Sequence, residues 1–288
     1  MRVDRPIVAP AGQIPASLLL LPDEVGRAVV VDVDTNRLLV VERSERGVEI
    51  VQDHYVAIGK AGADKRIEGD EKTPIGVYYV TRFIEGRELP PIYGAGALPV
   101  NYPNAWDRRL DRTGSGIWLH GTDKDDATLM PRSSRGCLTV LDEDFLEIRE
   151  GAAVGDMPVI VGHGIDWATP AEVVEKRESV LSAIELWRQD WESRDPERYL
   201  RHYAADFASD GMSRQRWADH KSRVNPSKKF IEIGIEKLAL YSYPGEEALV
   251  LASFRQDYRS HNFERSRLKH QYWRLEADGW KIVWEGRP

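Results

Sequence analysis

The chain has 288 residues, of which 42% are hydrophobic and 30% charged, and a net charge of −7 at pH 7. This composition is typical of a globular protein, and the length favours two domains. The acidic balance argues against nucleic acid as a partner, because a polyphosphate needs a basic surface. The leucine run at 18–21 is far too short to span a membrane, so we expect no transmembrane segment. A single cysteine, Cys137, excludes an internal disulfide.

The first half of the chain has the pattern of short strands. The stretch RAVVVDVDTNRLLVVE, residues 27–42, contains two β-branched runs around an Asp-Thr-Asn turn, and similar runs continue to about residue 79. Glycine and proline separate these runs, which is typical of a sandwich or barrel rather than of βαβ units. Further strands are expected in IWLHG, CLTVL and MPVIVG. We therefore predict a β-rich sandwich or barrel.

Residues 88–116 are rich in proline and glycine and have no sustained period. This pattern predicts a long irregular loop, and loops of that length are often functional. Its aromatic residues, Tyr93, Tyr102 and Trp106, either close over a substrate as a lid or anchor a static loop.

The pattern becomes helical near residues 164–170. Thr169 is a candidate N-cap, Pro170 suits the first helical position, and Glu172 completes a capping box. Apolar residues then recur at helical spacing as far as Trp191. A second helix, predicted from residue 195, carries Tyr199, Leu200 and Tyr203. Three strand-like stretches follow, so this half is predicted to be an α+β cone, with helices packed on a curved antiparallel sheet.

Cys137 and His120 are the candidate chemical groups. An ordinary thiol is mostly protonated at neutral pH, so a nucleophilic cysteine needs a base or a positive charge beside it. His120 and Arg135 are available for this purpose, and Gly136 would allow a substrate to approach the backbone. On spacing alone, Cys137 is equally well explained as a small buried hydrophobe. No metal site is expected, since no second cysteine is present to complete a zinc site.

Three stretches together resemble a known family. They are GKAGADKRIEGDEKTPIGVYYV, GALPVNYPNAWDRRLDRTGSGIWLHGT and SSRGCLTV, and the order of TPIG, IWLHG and SRGC is similar to that in the L,D-transpeptidase (YkuD) catalytic domain. The resemblance implies a catalytic domain over residues 26–166, preceded by an N-terminal extension at residues 1–25. It also implies peptidoglycan stem peptides as the binding partner and no cofactor.

The resemblance assigns roles at the matching positions. Cys137 resembles the nucleophile that forms a thioester, and His120 resembles the general base, whose ring the carbonyl of Gly121 would orient. The backbone N–H groups of Gly136 and Cys137 would form the oxyanion hole. The expected target is the L,D bond between diaminopimelate and D-alanine in a tetrapeptide stem.

Four further residues are expected to contact the substrate: Ser134, Arg135, Trp118 and Tyr102. Ser134 matches a Ser/Thr position that shapes the turn before the nucleophile. Two positions depart from the family pattern, since most members have His in place of Arg135 and many have Asn or Arg in place of Thr139. The Arg135 guanidinium would suit a substrate carboxylate, or it is a solvated loop residue.

Residues 167–288 resemble the nuclear transport factor two-like (SnoaL-like) cone. This fusion is similar to a proteobacterial subgroup that includes L,D-carboxypeptidases that set helical cell shape. The YkuD family itself implies acyl transfer to an amine, as in a 3-3 cross-link or D-amino-acid exchange, whereas the fusion favours hydrolysis. The alternatives are hydrolysis to a tripeptide and a non-catalytic wall-binding scaffold. The cone would bind glycan or peptide, or form a homodimer.

The substrate class implies a periplasmic location. The N-terminus shows no signal peptide, so we expect that a leader has been removed from the chain.

Overall fold

The computed structural model describes residues 6–44, 47–124, 128–209 and 211–288. The first five residues of the predicted N-terminal extension therefore lie outside the described residues. The chain forms two compact units. Unit 1 comprises Met1–Ser17 and Asp23–Pro170, and unit 2 comprises Leu18–Pro22 and Ala171–Pro288.

The strands are numbered in chain order. They are β1 (Ile14–Pro15), β2 (Leu18–Leu20), β3 (Arg27–Asp32), β4 (Arg37–Ser44), β5 (Gly47–Tyr55), β6 (Ile58–Gly59), β7 (Gly76–Tyr79), β8 (Ile84–Glu85), β9 (Gly96–Pro99), β10 (Trp118–His120), β11 (Arg132–Ser134), β12 (Leu138–Thr139), β13 (Pro158–Gly162), β14 (Trp167–Ala168), β15 (Tyr203–Ser209), β16 (Met212–Ser213), β17 (Ile231–Ser242), β18 (Leu249–Ser260), β19 (Phe263–Glu276) and β20 (Gly279–Gly286). The helices are α1 (Ala105–Arg109), α2 (Asp142–Glu150), α3 (Pro170–Glu192), α4 (Pro196–Leu200) and α5 (Arg214–Ser227). None of the described helices is long and apolar enough to cross a membrane.

Unit 1 is built on two main sheets. The larger has the order β5-β4-β3-β13-β7, and the smaller has the order β12-β10-β9-β8. Valine and leucine side chains from both sheets form one buried cluster that includes Val29, Leu38, Leu98 and Leu119. The central strands β3, β4 and β13 are buried on both faces, which is what their continuous apolar runs dictate. The short sheet carries the site described below.

The prediction of a long irregular loop over residues 88–116 is wrong in part. β9 pairs with both β10 and β8, and α1 follows it after a short turn. Tyr102 and Trp106 are buried. The Asn104 side chain caps α1 in a reciprocal capping box with Asp107. The four-residue strand β9 was not predicted because prolines and glycines interrupt the apolar pattern there, although the strand pairing itself is not interrupted.

Unit 2 is a seven-stranded sheet with the order β16-β15-β20-β19-β18-β17-β2. Three strands of 12 to 14 residues, β17, β18 and β19, pair antiparallel along their length. α3 begins at Pro170, as predicted, and buries Ile184, Trp187 and Trp191. The second predicted helix is shorter than expected, because α4 ends at Leu200 and Tyr203 begins β15.

Candidate active site

Strand register brings the two candidate chemical groups to one sheet. β10, which ends at His120, lies parallel to β12, which follows Cys137, and His120 is the register partner of Thr139. Cys137 lies in the turn between β11 and β12. Side chains two residues apart on a strand share a face, so Cys137, which precedes Thr139 by two residues, is placed on the side of the sheet that His120 faces. His120, Cys137 and Thr139 all line one cleft.

The turn before Cys137 is held by two hydrogen bonds of Ser134. Ser134 Oγ donates to the Cys137 carbonyl over 2.7 Å and accepts from the Gly136 N–H over 3.0 Å. Gly136 has φ of 120°, and a Cβ there would lie 2.6 Å from the Lys72 carbonyl oxygen, so only glycine fits without strain. Ser134 therefore shapes the turn, as the family resemblance implied.

A second hydroxyl, that of Thr73, also holds this turn and was not predicted to belong to the site. Thr73 is fully buried, and its Oγ1 donates to the Gly136 carbonyl over 3.0 Å. The same oxygen accepts from the Gly59 N–H over 3.0 Å. Thr73 is the threonine of the TPIG stretch, so this contact gives a physical reason for that residue in the motif.

The oxyanion hole differs from the prediction. The Gly136 N–H is already engaged by Ser134 Oγ, which corrects the prediction that Gly136 serves as an oxyanion donor. The Cys137 N–H, by contrast, has no hydrogen-bond partner among the described residues. Cys137 is thus the one of the two predicted donors whose N–H is open to a developing oxyanion.

His120 is held in the tautomer that a general base requires. Its Nδ1–H donates to the Gly121 carbonyl over 2.7 Å, as the family resemblance implied, which leaves the lone pair on Nε2. Asp142 lies behind this turn, where its Oδ1 accepts from the Ala95 N–H over 2.7 Å. A Cβ on Gly121 would lie 2.2 Å from that oxygen, so the glycine lets the carboxylate approach.

In the resting site, Nε2 and the thiol have other partners. Thr139 Oγ1 lies 3.1 Å from His120 Nε2 and donates to it, because the other ring nitrogen carries the proton. Cys137 Sγ donates to the Gly116 carbonyl over 3.5 Å. The thiol and the His120 ring are therefore not hydrogen-bonded to each other in this structure.

Burial decides the protonation state of both groups. It raises the pKa of the Cys137 thiol, with a smaller opposing effect from the Trp118 backbone. It lowers the pKa of His120, although the Gly121 carbonyl and the Asp142 charge act in the opposite direction. The resting pair is thus a neutral thiol and a neutral imidazole. A neutral pair fits the expectation that His120 acts as a general base, since its unprotonated ring can accept the thiol proton.

The cleft around Cys137 has a volume of about 510 Å³. Tyr93 forms one wall, with its ring 4.9 Å from the His120 ring and 4.9 Å from the Trp118 ring. Trp118, predicted to bind substrate, is not among the residues that line this cleft, although its ring contacts that of Tyr93. Tyr93 was predicted either to close over a substrate or to anchor a static loop. Arg135 is exposed, lines the cleft and forms no ion pair within the described residues.

Tyr102 is not part of this cleft, which corrects its prediction as a substrate-binding residue. It is 5% exposed and belongs to the core cluster, where its ring packs edge-on against Tyr78. Its hydroxyl donates to the Thr113 carbonyl over 3.0 Å. The aromatic ring is used for packing because β9 and α1 carry it inward. In the described ranges of the chain, no cluster of His, Cys, Asp and Glu has the arrangement of a metal site.

The histidines of unit 2 do not form a second dyad of this kind. His202 Nε2 lies 2.9 Å from the buried Asp190 carboxylate, which also pairs with Arg198. His270 is fully buried, and burial lowers its pKa to about 3. These two side chains serve the interior of the cone.

Two family models match the chain. The model described as the L,D-transpeptidase catalytic domain (YkuD) matches residues 26–170, which is half of the chain. The model described as the Cds6 C-terminal NTF2-like domain matches residues 179–286. Both parts of the predicted architecture, the β-rich catalytic domain and the cone, are confirmed by these matches. No curated protein matches the chain significantly.

Two solved structures resemble the chain over nearly its whole length. Bd1075 from Bdellovibrio bacteriovorus is 28% identical with a TM-score of 0.81, and the match covers 95% of this chain and 97% of that one. The helical cell shape determining protein Pgp2 from Campylobacter jejuni is 25% identical with a TM-score of 0.77. That match covers 90% of this chain and 91% of Pgp2. The likeness thus includes both units.

Proposed function

The chain belongs to the L,D-transpeptidase (YkuD) family, and on that premise we propose that it cleaves the L,D bond of peptidoglycan tetrapeptide stems through a Cys137 thioester. The observation that carries the proposal is that Cys137 and His120 line one cleft, with the proton of the His120 ring on Nδ1 and the lone pair on Nε2. A structural cysteine would need neither a base at the adjacent strand end nor an open backbone N–H. Both are present here.

The first step forms the thioester. Cys137 Sγ attacks the carbonyl carbon of the L-centre of diaminopimelate while His120 Nε2 takes the thiol proton. The Cys137 N–H stabilises the tetrahedral oxyanion. When the C–N bond breaks, His120 returns the proton to the amine of D-alanine, which leaves. The thioester and neutral His120 remain, so protons and electron pairs balance.

Water is the acceptor that we propose for the second step. His120 removes a proton from water, the resulting hydroxide attacks the thioester, and the stem is released as a tripeptide with the thiol regenerated. Support comes from the likeness of both units to Pgp2, a helical cell shape determining protein. Trimming of stems alters wall shape because a tripeptide can no longer donate its third residue to a cross-link.

Transfer to an amine is the second candidate, and the family match favours it, since the family is named for transpeptidation. In that reaction the amine of diaminopimelate or of a free D-amino acid replaces water. Steps up to the thioester are identical in the two candidates, so the cleft geometry does not separate them.

Cations at the cleft suit a substrate that carries carboxylates. Arg135 lies on the rim without an ion pair among the described residues, and its planar fork matches a carboxylate. Lys60 lines the same cleft, although Glu71 lies 3.8 Å from its ammonium. We propose that Arg135 binds the terminal carboxylate of D-alanine or the side-chain carboxylate of diaminopimelate. Because such stems lie outside the cytoplasmic membrane, we also propose a periplasmic location.

The experiment that tests the acceptor uses purified disaccharide-tetrapeptide and added D-methionine. Hydrolysis predicts tripeptide as the Cys137-dependent product, whereas transpeptidation predicts D-methionine-terminated tetrapeptide or 3-3 dimers. If neither product depends on Cys137, both candidates are wrong and the scaffold alternative is favoured. Arg135→Gln serves as a binding variant, for which we expect a higher KM with kcat little changed.

A further inference from the structure

The carboxylate of Asp142 lies between two backbone segments of the active site. Asp142 is the first residue of α2, and its Oδ1 accepts from the Ala95 N–H over 2.7 Å. A Cβ on Gly94 or on Gly121 would overlap this same oxygen, so both glycines leave the space that the carboxylate fills. Gly94 and Ala95 precede β9, whereas Gly121 follows β10. One carboxylate therefore holds together two segments that lie at the ends of neighbouring strands.

These two segments position the base and one wall of the cleft. The Gly121 carbonyl accepts from His120 Nδ1–H over 2.7 Å, which sets the orientation of the ring. On the other segment, a 3-10 turn, Pro91–Tyr93, directly precedes the glycine that faces Asp142. The Tyr93 ring lies edge-on to the His120 ring, with 4.9 Å between their centroids. A movement of the Asp142 carboxylate would therefore disturb both the hydrogen bond that orients His120 and the ring that packs against it.

Asp142 also acts on His120 through its charge. Burial lowers the pKa of His120, whereas the hydrogen bond to Gly121 and the charge of Asp142 oppose that effect. The first turn of α2 suits a carboxylate, because the partial positive charge of a helix N-terminus stabilises it. Among the described residues, the charged side chains that line the cleft itself are those of Lys60, Asp123, Lys124 and Arg135. A fixed negative charge beside a base favours its protonated form, which is the form that general-base catalysis produces.

We propose that Asp142 is a positioning residue for the cleavage of the stem peptide. It holds the Gly121 backbone that orients His120, and its charge stabilises the imidazolium that forms when Nε2 takes the Cys137 proton. Asp142 exchanges no proton itself and is not among the residues that line the cleft, so it acts on the substrate only through His120. This role rests on the proposed function, because it requires His120 to serve as the base.

Asp142→Asn separates the charge from the structure, because the amide oxygen can still accept from the Ala95 N–H. Glu143→Gln is the matched control, since it removes the same charge from the next residue, which is exposed in the same helical turn. The first measurement is an NMR titration of the His120 ring in the full-length Cys137→Ala protein, which requires no turnover. We expect His120 to titrate at a lower pH when Asp142→Asn is added, and at an unchanged pH when Glu143→Gln is added. An unchanged titration with Asp142→Asn would overturn the proposal.

The second measurement is the rate of acylation by disaccharide-tetrapeptide in a single turnover, with Cys137 intact. Asp142→Asn should acylate at least about three-fold more slowly at saturating substrate, and the acid limb of its pH profile should move to lower pH. Equal rates, or an acid limb that stays in place, would overturn the proposal, because a merely structural role lowers stability without moving that limb. If the wild-type protein forms no Cys137-dependent product, the proposed function is wrong, whereas the NMR titration still decides whether the Asp142 charge acts on His120.

Discussion

Thr73→Val tests whether the buried threonine holds the turn that precedes Cys137. Valine has nearly the shape of threonine but no hydroxyl, so the substitution removes two hydrogen bonds of 3.0 Å and leaves packing almost unchanged. The Gly59 N–H and the Gly136 carbonyl would then be buried without partners. Thr73→Ser is the matched control, because it keeps the hydroxyl and removes only a methyl group.

The magnitude follows from these two groups. Each buried polar group left unpaired costs about 1–3 kcal/mol, so Thr73→Val should lower the free energy of unfolding of unit 1 by about 2–6 kcal/mol. Loss of one buried methyl group in Thr73→Ser should cost about 1 kcal/mol. Because Gly136 directly precedes Cys137, a shift of about 1 Å in the turn should lower kcat on the order of 100-fold in Thr73→Val.

Urea unfolding monitored by tryptophan fluorescence measures the stability of each variant. Release of D-alanine from disaccharide-tetrapeptide measures its activity. We expect Thr73→Val to be clearly less stable and less active than Thr73→Ser. Equal stability and equal activity of the two variants would refute the reasoning, since the hydroxyl would then contribute nothing to the turn.

Four further expectations follow from the same structure. The acid limb of kcat/KM should lie below pH 6.5, because His120 must be neutral to act as base and burial lowers its pKa; a limb above pH 6.5 in the pH profile would contradict this. Gly136→Ala should cost about 1–3 kcal/mol in urea unfolding, since φ is 120° there. Thr139→Val should speed acylation up to about five-fold by freeing His120 Nε2, with Thr139→Ser unchanged in single-turnover kinetics. Unit 2 should lose stability as pH falls below about 6.5, because His270 binds its proton readily only when unfolded; at pH 5 the loss is about 2 kcal/mol, and urea titrations of His270→Gln should show a flatter pH dependence.

The sequence was sufficient for the parts of the fold that have a strong period. The β-branched runs in residues 27–42 predict β3 and β4, and the helical spacing after Pro170 predicts α3. It was insufficient where strands are short. β9 has four residues between glycines and prolines, and only its pairing with β10 shows that it belongs to the core. Tyr102 was misassigned for the same reason.

At the site, the sequence pointed to the two candidate reacting groups but not to the groups that hold them. Cys137 and His120 stand in recognisable motifs, and the Gly121 contact was expected. Thr73 lies far from Cys137 in the chain, so its bond to the nucleophile turn depends on a tertiary contact that no local pattern records. The raised pKa of Cys137 likewise follows from burial, which a nearby arginine in the sequence does not reveal.

Whether Cys137 forms the thioester is tested most directly by mass spectrometry of the intact protein and of its peptides. The protein is mixed with disaccharide-tetrapeptide, and the reaction is quenched rapidly before the measurement. We expect an acyl adduct on Cys137 that carries the disaccharide-tripeptide, together with stoichiometric release of D-alanine. His120→Gln should form this adduct far more slowly, and Cys137→Ala should form none. Release of D-alanine by Cys137→Ala at the wild-type rate, or an adduct on another residue, would show that Cys137 is not the nucleophile.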